Sequence, residues 1–122
     1  MIKILIFDDN TDLLECMQLC LESYDYLVQT TARMSDFYSE LDRFSPDAVI
    51  IDVNLSGEDG RLHCKKLRKD KKYDHLPLIL FSSDTNKLKD YEQYGADATL
   101  NKPFDINEMS DILTSAINKR KA

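Results

Sequence analysis

The sequence predicts an α/β fold, one doubly wound domain on a parallel sheet, and three observations carry that expectation. Residues 2–7, 48–51 and 78–81 are short apolar runs that are continuous rather than alternating, as strands buried on both faces read. Two more polar candidates, residues 26–31 and 97–100, suit the edges of a sheet. Segments of helical period lie between the strands, and this alternation forces parallel pairing through right-handed crossovers.

The elements follow in order. After the first strand, Asn10 or Thr11 caps a helix running to about Ser23, since a short polar side chain there can satisfy an orphan amide of the first turn. The 26–31 strand comes next, then a helix opened by Ser35 and ending near Phe44. Asp59 opens the helix that follows the third strand and runs to about Asp70. Thr85 opens a fourth helix, which Gly95 closes. The last helix begins at Asp105, where Met109, Ile112, Leu113, Ala116 and Ile117 recur along one face. Asp105 and Glu108 have the spacing of a capping box.

Composition bounds the function. The 122 residues make one domain spanning residues 1–122, large enough to bury a core without metal or disulfide staples. Sixteen Lys+Arg against 22 Asp+Glu leave a net charge of -6, which opposes the field that direct nucleic-acid binding requires. No apolar run approaches the ~20 residues of a bilayer-spanning helix. The start, Met1-Ile2-Lys3-Ile4-Leu5, lacks the features of a signal peptide, so a cytoplasmic location is expected. Cys16, Cys20 and Cys64 form no CxxC pair; they are expected to be small buried hydrophobes rather than disulfide or zinc ligands. There is no internal repeat, low-complexity tract or Pro/Gly/Ser linker.

In a doubly wound sheet the functional crevice lies outside the carboxyl ends of the strands. Here those ends carry Phe7-Asp8-Asp9-Asn10, Ile51-Asp52-Val53-Asn54, Phe81-Ser82-Ser83-Asp84 and Leu100-Asn101-Lys102-Pro103. If the first and third strands are neighbours about 4.8 Å apart, the carboxylates of Asp8, Asp9 and Asp52 share a small volume and repel. A hard divalent ion with oxygen ligands, Mg²⁺, is the natural neutraliser, and it is also able to bridge a phosphate oxygen. Lys102 supplies a second positive charge. Each residue alone has an ordinary explanation, such as an acidic helix N-terminus for Asp8, Asp9 and Asp12. Their joint arrival at four strand ends points to a site.

The chain resembles the receiver domains of bacterial two-component response regulators over essentially its whole length. The resemblance rests on Asp8-Asp9, Asp52, Gly60 eight positions beyond it, Ser82, and Gly95-Ala96-Asp97 leading to Lys102-Pro103-Phe104. It implies a flavodoxin-like (βα)5 fold with strand order 2-1-3-4-5 and a cis Lys102-Pro103 bond. It also implies that Asp52 is the phosphoacceptor and Asp9 a direct Mg²⁺ ligand. Asp8 would bind the ion largely through water and Asn54 through its backbone carbonyl, with Ser82 and Lys102 on the phosphoryl oxygens. The chain departs from the family where Thr99 stands in place of the aromatic residue that usually precedes Leu-x-Lys-Pro; Tyr94 and Phe104 are candidate substitutes. Ser56 replaces a frequent Pro, and Ser83 a frequent Ala.

The chemistry is consistent with that resemblance. Phosphoryl transfer to a carboxylate chiefly requires alignment of donor and nucleophile and neutralisation of the equatorial oxygens. The acyl phosphate formed on Asp52 is labile, so the modification is temporary. Its oxygens would draw in Ser82 and shift an inactive/active equilibrium. Asn54 and Asp84, each two residues past a site residue, are expected at the mouth of the site, tuning hydrolysis. The partners implied are a sensor histidine kinase or histidine phosphotransfer protein, docked on the first helix, and a downstream protein target. On that helix Asp12, Glu15, Gln18 and Glu22 form a narrow polar stripe, leaving more apolar face than one core contact needs. The donor histidine should belong to another protein, with His63 and His75 in structural or surface roles. A stand-alone receiver is expected, as a monomer or a phosphorylation-dependent dimer. Two rival readings are a pseudo-receiver that binds proteins without being phosphorylated and a phosphatase of the haloacid dehalogenase type. The latter would read its Asp-x-Asp pair as Asp8-x-Asn10 and lacks room for a cap insertion.

Overall fold

Strands β1 (Lys3–Phe7), β2 (Leu27–Thr31), β3 (Ala48–Asp52), β4 (Leu78–Ser82) and β5 (Ala98–Asn101) form one parallel sheet in the order β2-β1-β3-β4-β5. This is a computed structural model, and it describes residues 1–121. Helices α1 (Thr11–Glu22), α2 (Met34–Phe44), α3 (Gly60–Lys69) and α4 (Ile106–Lys121) cover its two faces. The polar runs that suited edge positions are the edge strands β2 and β5, and the continuous apolar runs are the three central ones.

Because successive residues of a strand face opposite ways, each of the three central strands serves two cores. Ile4 and Ile6 of β1 pack with Leu14, Met17 and Leu21 of α1 and with Met109, Leu113, Ala116 and Ile117 of α4. Leu5 and Phe7 point the other way and meet Phe37 and Leu41 of α2 and Cys64 and Leu67 of α3. Every residue of β3 and of β4 is buried, which accounts for their unbroken apolar character. Among the described residues no helix is long and apolar enough to cross a membrane.

Local structure departs from the sequence expectation at several points. The segment after β4 is not a helix closed by Gly95 but two 3₁₀ turns, Thr85–Leu88 and Tyr91–Tyr94, separated by Asp90 in the left-handed region at φ 57°. Only Leu88 is buried within these turns, so little apolar surface presses the segment onto the sheet, and without tertiary packing a short helix is marginal. Helix α2 begins at Met34, with Arg33 in the capping position and no side-chain cap; Ser35 lies inside the helix. Asn10 caps α1 and Asp59 caps α3, each accepting a backbone N–H. Of the cysteines only Cys64 is buried, while Cys16 is exposed and Cys20 half-buried. The reason is helical phase: Leu14, Met17 and Leu21 form the inward stripe of α1, which turns Cys16 and Leu19 outward.

At the amino-terminal end of the sheet, opposite the acidic strand ends, Asp97 is buried and bonds three ways. Its Oδ2 accepts from Arg68 of α3 and from the Leu78 amide, both at 3.0 Å, and its Oδ1 accepts from Arg120 of α4 at 2.7 Å. One carboxylate thereby ties helices from opposite faces to the sheet. Asp97→Ala is expected to lower the unfolding free energy by about 3 kcal/mol, because it leaves the part-buried Arg68 without its counter-charge and a strand amide without its acceptor. Urea denaturation measures this, and a loss under ~1 kcal/mol would show that the clamp is dispensable.

Candidate functional site

Parallel register builds the site. Phe7 of β1 lies opposite Ile51 of β3, so the next residue on each strand, Asp8 and Asp52, arrive side by side at the carboxyl edge. Both are buried, 0% and 3% exposed. Asp9 follows on the exposed loop, and one oxygen from each of Asp8, Asp9 and Asp52 lies within 4.8 Å of the others. Lys102 enters from the end of β5, its ammonium 4.7 Å from the centre of the Phe81 ring. It donates to Asp8 Oδ2 at 3.1 Å and to Asp52 Oδ2 at 3.2 Å. The Lys102-Pro103 peptide is cis.

The remaining acceptor capacity of the buried acids is met locally. Asn10 N donates to Asp8 Oδ1 at 2.9 Å, and Asn54 N to Asp52 Oδ1 at 3.2 Å. Gly60 explains its own identity: a Cβ there would sit 1.9 Å from the Asp52 backbone oxygen. Its N–H donates to Val53 O at 2.8 Å, so the start of α3 presses directly on the strand end that presents Asp52.

Charge at this edge is unbalanced. Burial, and then the neighbouring Asp8 carboxylate, push Asp52 up to about 6 in spite of Lys102 and the Asn54 amide. Burial works against the charge on Lys102, but Asp8 and Asp52 more than offset it and hold the ammonium above its usual range. Three carboxylates facing one ammonium carry an excess of two negative charges when ionised, which is the demand a divalent cation meets. All the donors are carboxylate oxygens, suited to a hard ion. The residues therefore fit a metal, and Asp8, Asp9 and Asp52 are those able to hold it.

The other expected residues lie around this centre. Ser82 is buried at the end of β4, one strand from Asp52, but its Oγ accepts from Asp84 N at 3.0 Å rather than touching the acids or Lys102. The Asp84 carboxylate caps the following turn by accepting from Asn86 N at 3.0 Å. Asn54 is exposed, and its Oδ1 accepts from Lys87 at 2.9 Å. Thr99 pairs with Leu80 in the edge of the sheet. Of the two aromatic candidates, Tyr94 stacks under the Arg61 guanidinium, 5.2 Å away, and Phe104 packs edge-on against Phe81, 5.7 Å between centres. His63 is largely buried, near Tyr38 and Glu58, and His75 is exposed.

Two contacts at the site were not legible in the sequence. Lys87 reaches Asn54 from the turn after β4, and Ser56 holds Asp9 through both its N–H and its Oγ, at 2.8 and 2.7 Å. Serine and lysine in polar loops carry no periodic or motif signal, so only the chain path reveals them.

Comparison with known proteins identifies the family and the fold. The family described as response regulator receiver domain matches residues 4–114. Response regulator Rre1 of Synechocystis is 30% identical over 99% of this chain, which covers 54% of that protein. The DNA-binding dual master transcriptional regulator RpaA of the same organism is 30% identical over 88% of the chain and 45% of its own length. The chain thus spans about half the length of these two relatives. Among solved structures, a putative response regulator from Chloroflexus aurantiacus superposes with a TM-score of 0.87 at 28% identity, covering 95% of this chain and 97% of that one. The chemotaxis protein CheY4 of Vibrio cholerae shares the fold, with a TM-score of 0.86 at 24% identity and coverage of 95% and 98%. Acidic strand ends, a bridging lysine and the 2-1-3-4-5 sheet thus occur together in a chain that belongs to the response regulator receiver domain family.

Proposed function

We propose that Asp52 is the phosphoacceptor of a phosphorelay, taking a phosphoryl group from a histidine on a partner protein in a Mg²⁺-dependent reaction. The observation that carries this is the Lys102 ammonium bridging Asp8 and Asp52 at 3.1 and 3.2 Å inside a triad of acids fit for one cation. Mg²⁺ would be held by Asp8, Asp9, Asp52 and the Asn54 backbone carbonyl, and when bound it supplies neutralisation of phosphoryl oxygens. A carboxylate oxygen of Asp52 forms the new bond to phosphorus as the bond to the donor imidazole nitrogen breaks, and the imidazole leaves with that electron pair. Lys102 is already at the reacting carboxylate and is the group that follows the phosphoryl charge. Ser82 would donate its O–H to a phosphoryl oxygen, and swinging its Oγ toward Asp52 would strain the bond it accepts from the Asp84 amide and so shift the turn after β4.

This turn links modification to signalling, because a shift at Ser82 and Asp84 also disturbs the Lys87–Asn54 contact. Asn54 and Asp84 flank the reacting atoms and tune the lifetime of the acyl phosphate. The donor protein docks on the outer face of α1, where Leu19 is 63% exposed, and a downstream protein reads the altered surface. A cytoplasmic setting, as a monomer or a dimer formed on phosphorylation, belongs to the same proposal, as does domain 1–122 acting without direct contact to nucleic acid. The chain modifies itself and is not a turnover enzyme.

Incubation with Mg²⁺ and acetyl phosphate is expected to add one phosphoryl group by intact mass, and Asp52→Asn to abolish the addition. An unmodified wild-type chain would favour a pseudo-receiver; turnover of a phosphate ester would favour a phosphatase. Lys102→Ala is expected to slow phosphorylation by roughly 10- to 100-fold, read by the same mass assay over time. For lifetime, Asp84→Arg is expected to change the dephosphorylation rate severalfold, and an unchanged rate removes Asp84 from the tuning role.

The raised Asp52 value also sets a pH dependence in chelator. The folded chain holds a proton on Asp52 up to about pH 6, whereas the unfolded chain releases it near the ordinary carboxylate value of about 3.9. Between those values the native state binds more protons, so this group's contribution to stability falls as pH rises through the window. Asp52→Asn is therefore expected to raise unfolding stability at pH 7 by on the order of 2 kcal/mol and to leave it little changed at pH 4. Equal shifts at both pH values in chemical denaturation would contradict the charge-crowding account.

A further inference from the structure

The loop that follows β3 is pinned to the loop that follows β1 by one residue. After Asp52 the chain makes a two-residue ladder, Asn54–Leu55 against Glu58–Asp59, and Ser56 and Gly57 form its tip. Ser56 takes a left-handed backbone at φ 40°, a region that costs a non-glycine residue on the order of 1 kcal/mol. In that conformation both its polar groups converge on one atom: N–H to Asp9 Oδ2 at 2.8 Å and Oγ to Asp9 Oδ2 at 2.7 Å. Asp9 is exposed, and these two hydrogen bonds tie its carboxylate to the loop after β3.

We propose that Ser56 is a positioning residue for the divalent cation. It engages Oδ2 of Asp9 with two donors and so holds that carboxylate beside Asp8 and Asp52, with its other lone pairs open to the ion. This rests on the assignment of Asp8, Asp9 and Asp52 as the metal ligands. Fixing the carboxylate in advance removes conformational freedom that the ion would otherwise have to freeze, so binding is tighter than with a freely rotating Asp9. The same two hydrogen bonds join the segment bearing the Asn54 backbone carbonyl to the segment bearing Asp9, so groups from two strand ends reach the cation as one unit. A proline at this position has neither an N–H nor a hydroxyl and is unable to do this.

The test is Mg²⁺ affinity, measured by NMR titration of the ¹⁵N-labelled chain without phosphodonor. Wild type is expected to show saturable shifts of the Asp9, Asn54 and Ser56 amides. Ser56→Ala and Ser56→Gly are both expected to bind Mg²⁺ about fivefold more weakly, the loss of one well-aligned hydrogen bond. Ser56→Gly relieves the left-handed backbone while deleting the hydroxyl, so it stays folded if the alanine variant does not, and a loss of affinity there is not strain. In an Asp9→Asn background, Ser56→Gly is expected to cause no further weakening. Wild-type affinity or tighter binding in Ser56→Gly overturns the role of Ser56 and leaves the metal ligands standing. Absence of saturable shifts in wild type overturns the ligand assignment itself.

Discussion

Everything distinctive about this molecule turns on crowding like charges at one edge of a sheet. Asp8 and Asp52 are brought side by side because β1 and β3 are neighbours in parallel register, and neither is free to move away, since each caps a strand whose residues are buried on both faces. Lys102 is the counter-charge that makes the arrangement tolerable, and it does not fully compensate. The remaining negative excess is what suits the edge to a cation. A carboxylate cluster of this kind stores unfavourable electrostatics in the fold, which a bound cation would relieve.

The fold secures that edge from behind. Buried β3 and β4 residues hold the central strands rigid, Gly60 lets α3 press on the Asp52 carbonyl, and the Asp97 clamp locks α3 and α4 at the far end of the sheet. By contrast, the turn after β4 is held by single polar contacts, Ser82 to Asp84 and Lys87 to Asn54, and the fourth crossover is reduced to two 3₁₀ turns around a left-handed Asp90. Apolar packing is distributed and difficult to undo locally, whereas a few polar contacts at loop tips exchange readily. The molecule is rigid where it positions charge and loosely fastened in the turn after β4.

Much of this was legible in the chain. Continuous apolar runs identified the central strands, polar ones the edges, and the residues following each run identified the acids and the lysine. What failed, failed for local reasons. Residues 85–95 contain acceptable helix starts and stops, but too little apolar surface to stabilise a helix against the sheet. Cys16 was misjudged because α1 is apolar around much of its circumference, so composition alone did not reveal which stripe faced inward. Ser35 has the chemistry of a cap, yet the chain enters α2 two residues earlier than that cap required.

By itself the sequence determined the alternation of strands and helices, the residues at each strand end, and hence which chemistry was available, because periodicity and turn chemistry are local properties of the chain. Only the tertiary structure decided that Lys102 spans two acids, that Ser56 grips Asp9, that Ser82 rests on a backbone amide, and that Asp97 binds two arginines from opposite faces. Those contacts join residues far apart in the chain or hidden in irregular loops, and their geometry is set by how whole elements pack.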